Sequence, residues 1–340
     1  MRFSFSGLLK GLIPTLLVGL IIVALLRSMG YIGGGESADS PSALVKQATE
    51  NLEAVRKRQP GDRRPASYDS VMAPLDELLR QTKKLLENDT YSPVADFEKV
   101  RSLTLPVIDI ATQADRQARA ETGYLVKEYR FNSQKGEASQ YLANAMWERI
   151  NMQLPPQTGF LNESAPYPPA EMNELRRILD TGLEAAPLNR DLWYIRGVVN
   201  RAEGLFAPAA RDLERAVDID NEYVAAWNTL GLVRISLREF GKAEDALERA
   251  RIISEDLAQK FKTEPGGEYV AILYNLASFH EGLATYYSRE NRIHPTVESQ
   301  RLYTRHAAEA RRYFQEFLGR EPAGSPDARA AQAKMQALPR

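Results

Sequence analysis

Three patterns of apolar and polar positions divide this chain. The first is a continuous apolar run. From Gly11 to Leu26 the sequence GLIPTLLVGLIIVALL carries no charge over sixteen residues; Leu8 and Leu9 extend it before Lys10, and Met29, Tyr31 and Ile32 extend it past Arg27. About 20 helical residues cross the roughly 30 Å hydrocarbon core of a bilayer. Lys10 and Arg27 have stems long enough to carry their charges to the two interfaces. The run predicts a single transmembrane helix within residues 1–32, touching the lipid bilayer through residues 8–32. No A-x-A-like cleavage site follows it, so it reads as a retained signal anchor rather than a removable signal peptide. Arg2, Lys10 and the terminal amine precede the span and Arg27 follows it. That balance favours an N-in, single-pass topology with the C-terminal domain translocated; the opposite, N-out orientation is the alternative. In a Gram-negative bacterium the bulk of the chain then lies in the periplasm, tethered to the inner membrane.

The second pattern has the helical period. Residues 33–42, GGGESADSPS, read as a flexible linker. Beyond it Leu44, Ala48, Leu52 and Val55, then Val71, Leu75, Leu78, Leu79, Leu85 and Leu86, fall at helical spacing on either side of a turn with Pro60, Gly61 and Pro65. Pro106 fits the first turn of a further long helix running to about Tyr129. Residues 43–135 are therefore predicted to form a helical bundle or stalk. Arg56, Lys57, Arg58, Arg63 and Arg64 gather around its first turn, as a solvated loop or as a contact for anionic lipid.

The third pattern is a repeat. Trp193, Gly197, Phe206, Ala209, Leu213 and Ala216 recur 34 residues later as Trp227, Gly231, Phe240, Ala243, Leu247 and Ala250, with Leu230 completing a W-x-x-L-G start. Period and pattern resemble the tetratricopeptide repeat (TPR). The best repeats are 190–223 and 224–257. Leu273-Tyr274-Asn275-Leu276-Ala277 begins a third, with Ala for Gly and about 21 extra residues centred on Ser288 to Glu298. A degenerate repeat precedes them, so the TPR-like domain is assigned to 136–322, followed by a tail, 323–340, with a capping helix. The fold class predicted is all-α: a transmembrane helix, a helical bundle or stalk, then a TPR-like α-superhelix.

The resemblance implies a concave groove lined by the first helix of each repeat. Its docking positions are Tyr194, Val198 and Arg201, then Asn228, Leu232 and Ile235, then Tyr274 and Ser278. TPR proteins that clamp a terminal carboxylate carry Lys, Arg and Asn at these places; this mainly aromatic and aliphatic set fits an apolar peptide or a partner helix better. Trp193, Gly197, Ala209, Ala216, Trp227, Leu230, Gly231, Ala243 and Ala250 are the repeat-defining structural residues.

Composition narrows the chemistry. The 340 residues carry 44 Lys and Arg against 45 Asp and Glu, a net charge of -1, so no global field draws in nucleic acid. The absence of Cys excludes disulfides, thiolate metal sites and Cys nucleophiles. With three His (His280, His294, His306), a metal site is not expected. His280-Glu281 starts like a zincin helix, but Ala284 stands where the second His belongs. No nucleotide-binding or hydrolase motif occurs. No enzyme activity, cofactor or small-molecule substrate is expected. The reading is a membrane-anchored scaffold or structural subunit docking other proteins of a cell-envelope complex. The alternatives are a transient assembly factor or chaperone, and an envelope enzyme with its site in the middle bundle.

Overall fold

The computed structural model describes residues 37–57, 67–122, 129–154 and 167–338. The predicted membrane span, residues 33–36 of the linker, Arg58, Arg63 and Arg64 all lie outside the described residues. Among the described residues, no helix is long and apolar enough to cross a membrane. Every regular element described is helical. In chain order these are α1 (Pro41–Lys57), α2 (Tyr68–Leu86), α3 (Phe97–Thr122), α4 (Tyr129–Gln153), α5 (Pro169–Ala185), α6 (Arg190–Ala202), α7 (Phe206–Ile219), α8 (Val224–Ser236), α9 (Phe240–Phe261), α10 (Gly267–Ile293), α11 (Val297–Leu318) and α12 (Pro326–Ala337). They form two compact units, divided within α4 between Leu142 and Ala143.

In the first unit α1, α2 and α3 pack on one another. Pro41 occupies the first position of α1, where its missing N–H costs nothing, and the Ser40 hydroxyl accepts from the Ala43 N–H. The buried face of α1 is Leu44, Ala48, Leu52 and Val55; it meets Val71, Leu75 and Leu78 of α2 and Val107, Ile110 and Ala114 of α3. Pro106 lies inside α3, not in its first turn. The buried stripe from Phe97 through Val100 and Leu103 to Val107 continues past it, and that burial outweighs the lost hydrogen bond. Arg56 of the basic cluster is not free for lipid. Its guanidinium donates to Gln117 Oε1 at 3.0 Å and Gln113 Oε1 at 3.1 Å, joining α1 to α3.

In the second unit α6–α7, α8–α9 and α10–α11 are helical hairpins, and the first helices α6, α8 and α10 are neighbours in turn. The 34-residue period holds atom by atom. Trp193 Nε1 donates to the Pro187 carbonyl at 2.8 Å, and Trp227 Nε1 to the Asn221 carbonyl at 2.9 Å. The turns match as well. The Leu205 N–H donates to the Asn200 carbonyl at 2.8 Å and the Glu239 N–H to the Arg234 carbonyl at 2.9 Å. Gly204 takes the left-handed conformation there (φ 74°); its counterpart Arg238 adopts it too (φ 61°), at a cost of about 1–2 kcal/mol.

The crossing inside each hairpin explains the glycines. A Cβ at Gly197 would lie 2.7 Å from Leu213 Cγ, and at Gly231 2.6 Å from Leu247 Cγ. In the third hairpin Ala277 and Phe314 take these places, both fully buried. The extra residues there form no loop. α10 runs to Ile293 and α11 starts at Val297, so the insertion lengthens both helices. Thr296 caps α11, accepting from the Ser299 N–H while the Ser299 hydroxyl accepts from the Thr296 N–H. The lengthened hairpin is joined by a run of rings seven residues apart on each helix: Tyr313 on His280, His280 on His306, His306 on Tyr287. His280 Nδ1 and His306 Nδ1 share a hydrogen bond of 2.9 Å.

Two outcomes follow from this packing. Gly231→Ala should lower unfolding free energy by about 1–3 kcal/mol, because Leu247 must leave its rotamer. Gly241→Ala, in open space near the start of α9, should be neutral or stabilising by under about 1 kcal/mol. Urea unfolding of the two variants checks both. The second outcome concerns pH. Burial and the facing His306 hold His280 down, to about 4, and burial and Arg305 hold His306 below its ordinary value. Glu244 and Glu248 of α9 and Arg305, Glu309 and Tyr313 of α11 are the other ionisable groups facing the pair, with Tyr287 stacked from α10. The folded state therefore binds fewer protons than the unfolded chain between pH 6.5 and about 4. Stability is full above about 6.5 and should fall by about 3 kcal/mol as pH drops towards 4. A pH series of thermal melts, with a His280→Phe/His306→Phe double variant showing a shallower decline, tests this.

Candidate docking groove

Each first helix places the predicted groove positions on one face because they recur every three or four residues. Asn189 fixes the start of α6: its side chain accepts from the N–H groups of Asp191 and Leu192 at 3.0 and 3.2 Å. Tyr194 then lies half-buried, its ring 5.2 Å from that of Tyr223 and its hydroxyl bonded to Thr229 of α8. The Tyr223 hydroxyl donates to Asp191 Oδ1 at 2.9 Å, and burial among acidic and phenolic neighbours pushes it well above its ordinary value. Across the next interface Asn275 Nδ2 donates to Asn228 Oδ1 at 2.9 Å. Three hydrogen bonds on this face thus hold α6, α8 and α10 in register.

Tyr274 has its ring 5.2 Å from Phe317 and 6.1 Å from Phe314, so it packs within the third hairpin. Ser278 is 7% exposed, covered from α12 by Lys334, whose Nζ lies 3.4 Å from the serine hydroxyl. Lys334 also reaches Glu281 at 3.6 Å and the Tyr274 ring at 5.6 Å. The chain's own C-terminal helix therefore fills this part of the face, with Ala328, Ala331 and Leu338 buried beneath it. Val198, Leu232 and Ile235 are half-buried, Ile235 against the core of the third hairpin.

Arg201 differs from all of these. Its guanidinium is near the Tyr167 and Tyr194 hydroxyls, and burial holds it below its ordinary value. Among the described residues no carboxylate pairs with it. Two other half-buried arginines of these hairpins are paired with carboxylates, Arg196 with Asp212 at 2.7 and 3.1 Å and Arg234 with Glu214 at 2.5 Å and Glu239 at 2.6 Å, while Arg311 donates to the Leu338 carbonyl at 3.1 Å. A guanidinium removed from water with no counter-charge is costly, and an acidic ligand would offset that cost.

The structure brings Tyr194 and Arg201 together, joins Asn228 to α10, and takes Ser278 away from solvent. Sequence reasoning missed Tyr167, Tyr223, Asn275 and Lys334. Tyr167 and Lys334 lie outside the repeat period, and Tyr223 precedes its helix. Asn275 follows Tyr274 directly in the W-Y-N-L-G-like start, and its pairing with Asn228 bridges 47 residues. The remaining chemistry is ordinary. Asp220 accepts from the Glu222 N–H at 2.9 Å and pairs with Arg190. Among the described residues no three His, Asp or Glu are grouped to hold a metal.

The second unit is by this geometry a stack of TPR-like helical hairpins. No protein-family model and no curated protein matches the chain. Three similar solved structures are a monomeric IFIT1 mutant with m7Gppp-AAAA, yeast Tom70 and the APC/C hetero-tetramer Cut9–Hcn1. The first is 12% identical, covers 97% of this chain and 66% of its own, and superposes with a TM-score of 0.42. Tom70 is 15% identical over 90% and 58%, with a TM-score of 0.28. Cut9–Hcn1 is 13% identical over 86% and 67%, with a TM-score of 0.21. This chain spans just under two thirds of the first of them.

Proposed function

We propose that this protein is a membrane-anchored docking scaffold whose concave face, over α6 and α8, takes a segment of a partner protein from a cell-envelope complex. The observation that carries this reading is Arg201, a desolvated guanidinium beside two tyrosines with no carboxylate among the described residues. An acidic side chain on the partner would supply the missing charge, and Val198 and Leu232 would take its apolar neighbours. Tethering through residues 8–32 would hold the groove close to membrane partners and raise their effective concentration. The topology proposed is N-in with both described units translocated. A permanent structural subunit is the reading proposed, with a transient assembly factor as the alternative.

Arg201→Gln tests the groove. It removes a costly buried charge, so the melting temperature should hold or rise. Affinity for the co-purified partner should fall roughly 10- to 100-fold, the worth of one charged hydrogen bond. The measurement is quantitative mass spectrometry of partners after gentle detergent extraction of the full-length chain; unchanged recovery would overturn the assignment. Topology is open to direct labelling because the chain has no Cys. Asn291→Cys, on the exposed end of the third hairpin, should react with a membrane-impermeant maleimide once the outer barrier is permeabilised. Reaction only after the tethering membrane is lysed would reverse the topology.

A further inference from the structure

We infer that the far end of the groove, a cleft between the first half of α10 and the junction of α11 with α12, receives a lysine or arginine side chain carried beside an apolar residue on the docking segment. This rests on the reading of the concave face as a docking surface and names what its second half selects. The cleft has a volume of about 290 Å³. Val270, Ala271, Tyr274 and Phe317 give it an apolar, aromatic lining, and Glu321 and Asp327 give it two carboxylates. Among the described residues neither carboxylate takes a side-chain partner. Glu268 lies beside the cleft-lining Gly267, in the first turn of α10. Its charge is felt at the Tyr194 hydroxyl, and partial burial holds its carboxyl above the usual range.

Among the described residues no basic side chain lines the cleft. Arg320, next to Glu321 in sequence, is held by Glu316 at 3.7 Å and lies over the Tyr269 ring. Lys334 is engaged by Glu281 and Ser278. An aromatic wall beside unpaired carboxylates suits the two parts of a long basic side chain: the methylene stem packs on the rings and the charge meets the acids. Phosphate would be repelled from the same place, so the charge complementarity is to a protein segment rather than to nucleic acid. With Arg201 over α6 and the acids beside α10, the groove has a positive and a negative end. A segment with an acidic residue at one end and a basic–apolar pair at the other docks in one direction only.

The test is a displayed 12-residue peptide library selected on the detergent-solubilised full-length chain. Selected peptides are then measured by fluorescence anisotropy against the native chain, Arg201→Gln, and a Glu321→Lys/Asp327→Lys double variant. Both acids lie at the surface, and unchanged circular-dichroism melting of the double variant verifies its fold. Selected peptides should share a Lys or Arg next to Leu, Ile or Phe. The double variant should weaken their binding at least tenfold, and changing the peptide's basic residue to Glu should restore it. Peptides sensitive to Arg201→Gln but indifferent to the double variant would overturn the cleft inference and leave the docking groove standing. Indifference to both, or no peptide selected, would overturn both. Binding of a labelled adenosine RNA that the double variant strengthens would replace the protein segment with nucleic acid.

Discussion

The second unit depends on one close approach, repeated. At Gly197 and Gly231 the two helices of a hairpin come near enough for a leucine of the second helix to occupy the space of a β-carbon on the first. Ala209 and Ala243, each fully buried, keep the facing helix equally narrow. That proximity sets the tilt of each hairpin, and the tilt sets where the next hairpin stacks. The fixed offset from one tryptophan–carbonyl bond to the next shows that the stacking rule is obeyed to the level of single hydrogen bonds. The third hairpin relaxes the rule: alanine replaces glycine, phenylalanine replaces leucine, and both helices lengthen.

The lengthening changes what the third hairpin is for. Long helices beyond the repeat stack lose the neighbours that would bury them, and the ring column through His280 and His306 supplies a substitute between the two helices alone. Two imidazoles in that column are held neutral by burial. This part of the molecule consequently couples folding to protonation in the mildly acidic range.

The concave face is economical in its use of polar groups. Tyr194, Tyr223, Asp191, Asn228 and Asn275 hold first helices together, and α12 covers the serine end. Among the described residues, Arg201 has no carboxylate partner, and Glu321 and Asp327 have no basic one.

The sequence by itself determined the helices and the hairpins, because helical periodicity and a glycine that only a narrow crossing needs are local signals. Leu44, Ala48, Leu52 and Val55 form the buried face of α1, and the 34-residue coincidences are present in the structure as equivalent bonds. Pro106 misled, since its position in α3 is decided by the neighbouring buried stripe, which a local rule for proline does not weigh. The extra residues near Ser288 to Glu298 were legible only as an insertion, because counting shows extra length and not its conformation. Only the tertiary structure decided which groove residues are already occupied. Pairings such as Asn228 with Asn275, or Ser278 with Lys334, join positions tens of residues apart, outside the repeat period. That no carboxylate pairs with Arg201 among the described residues is likewise a matter of packing, which no sequence spacing records.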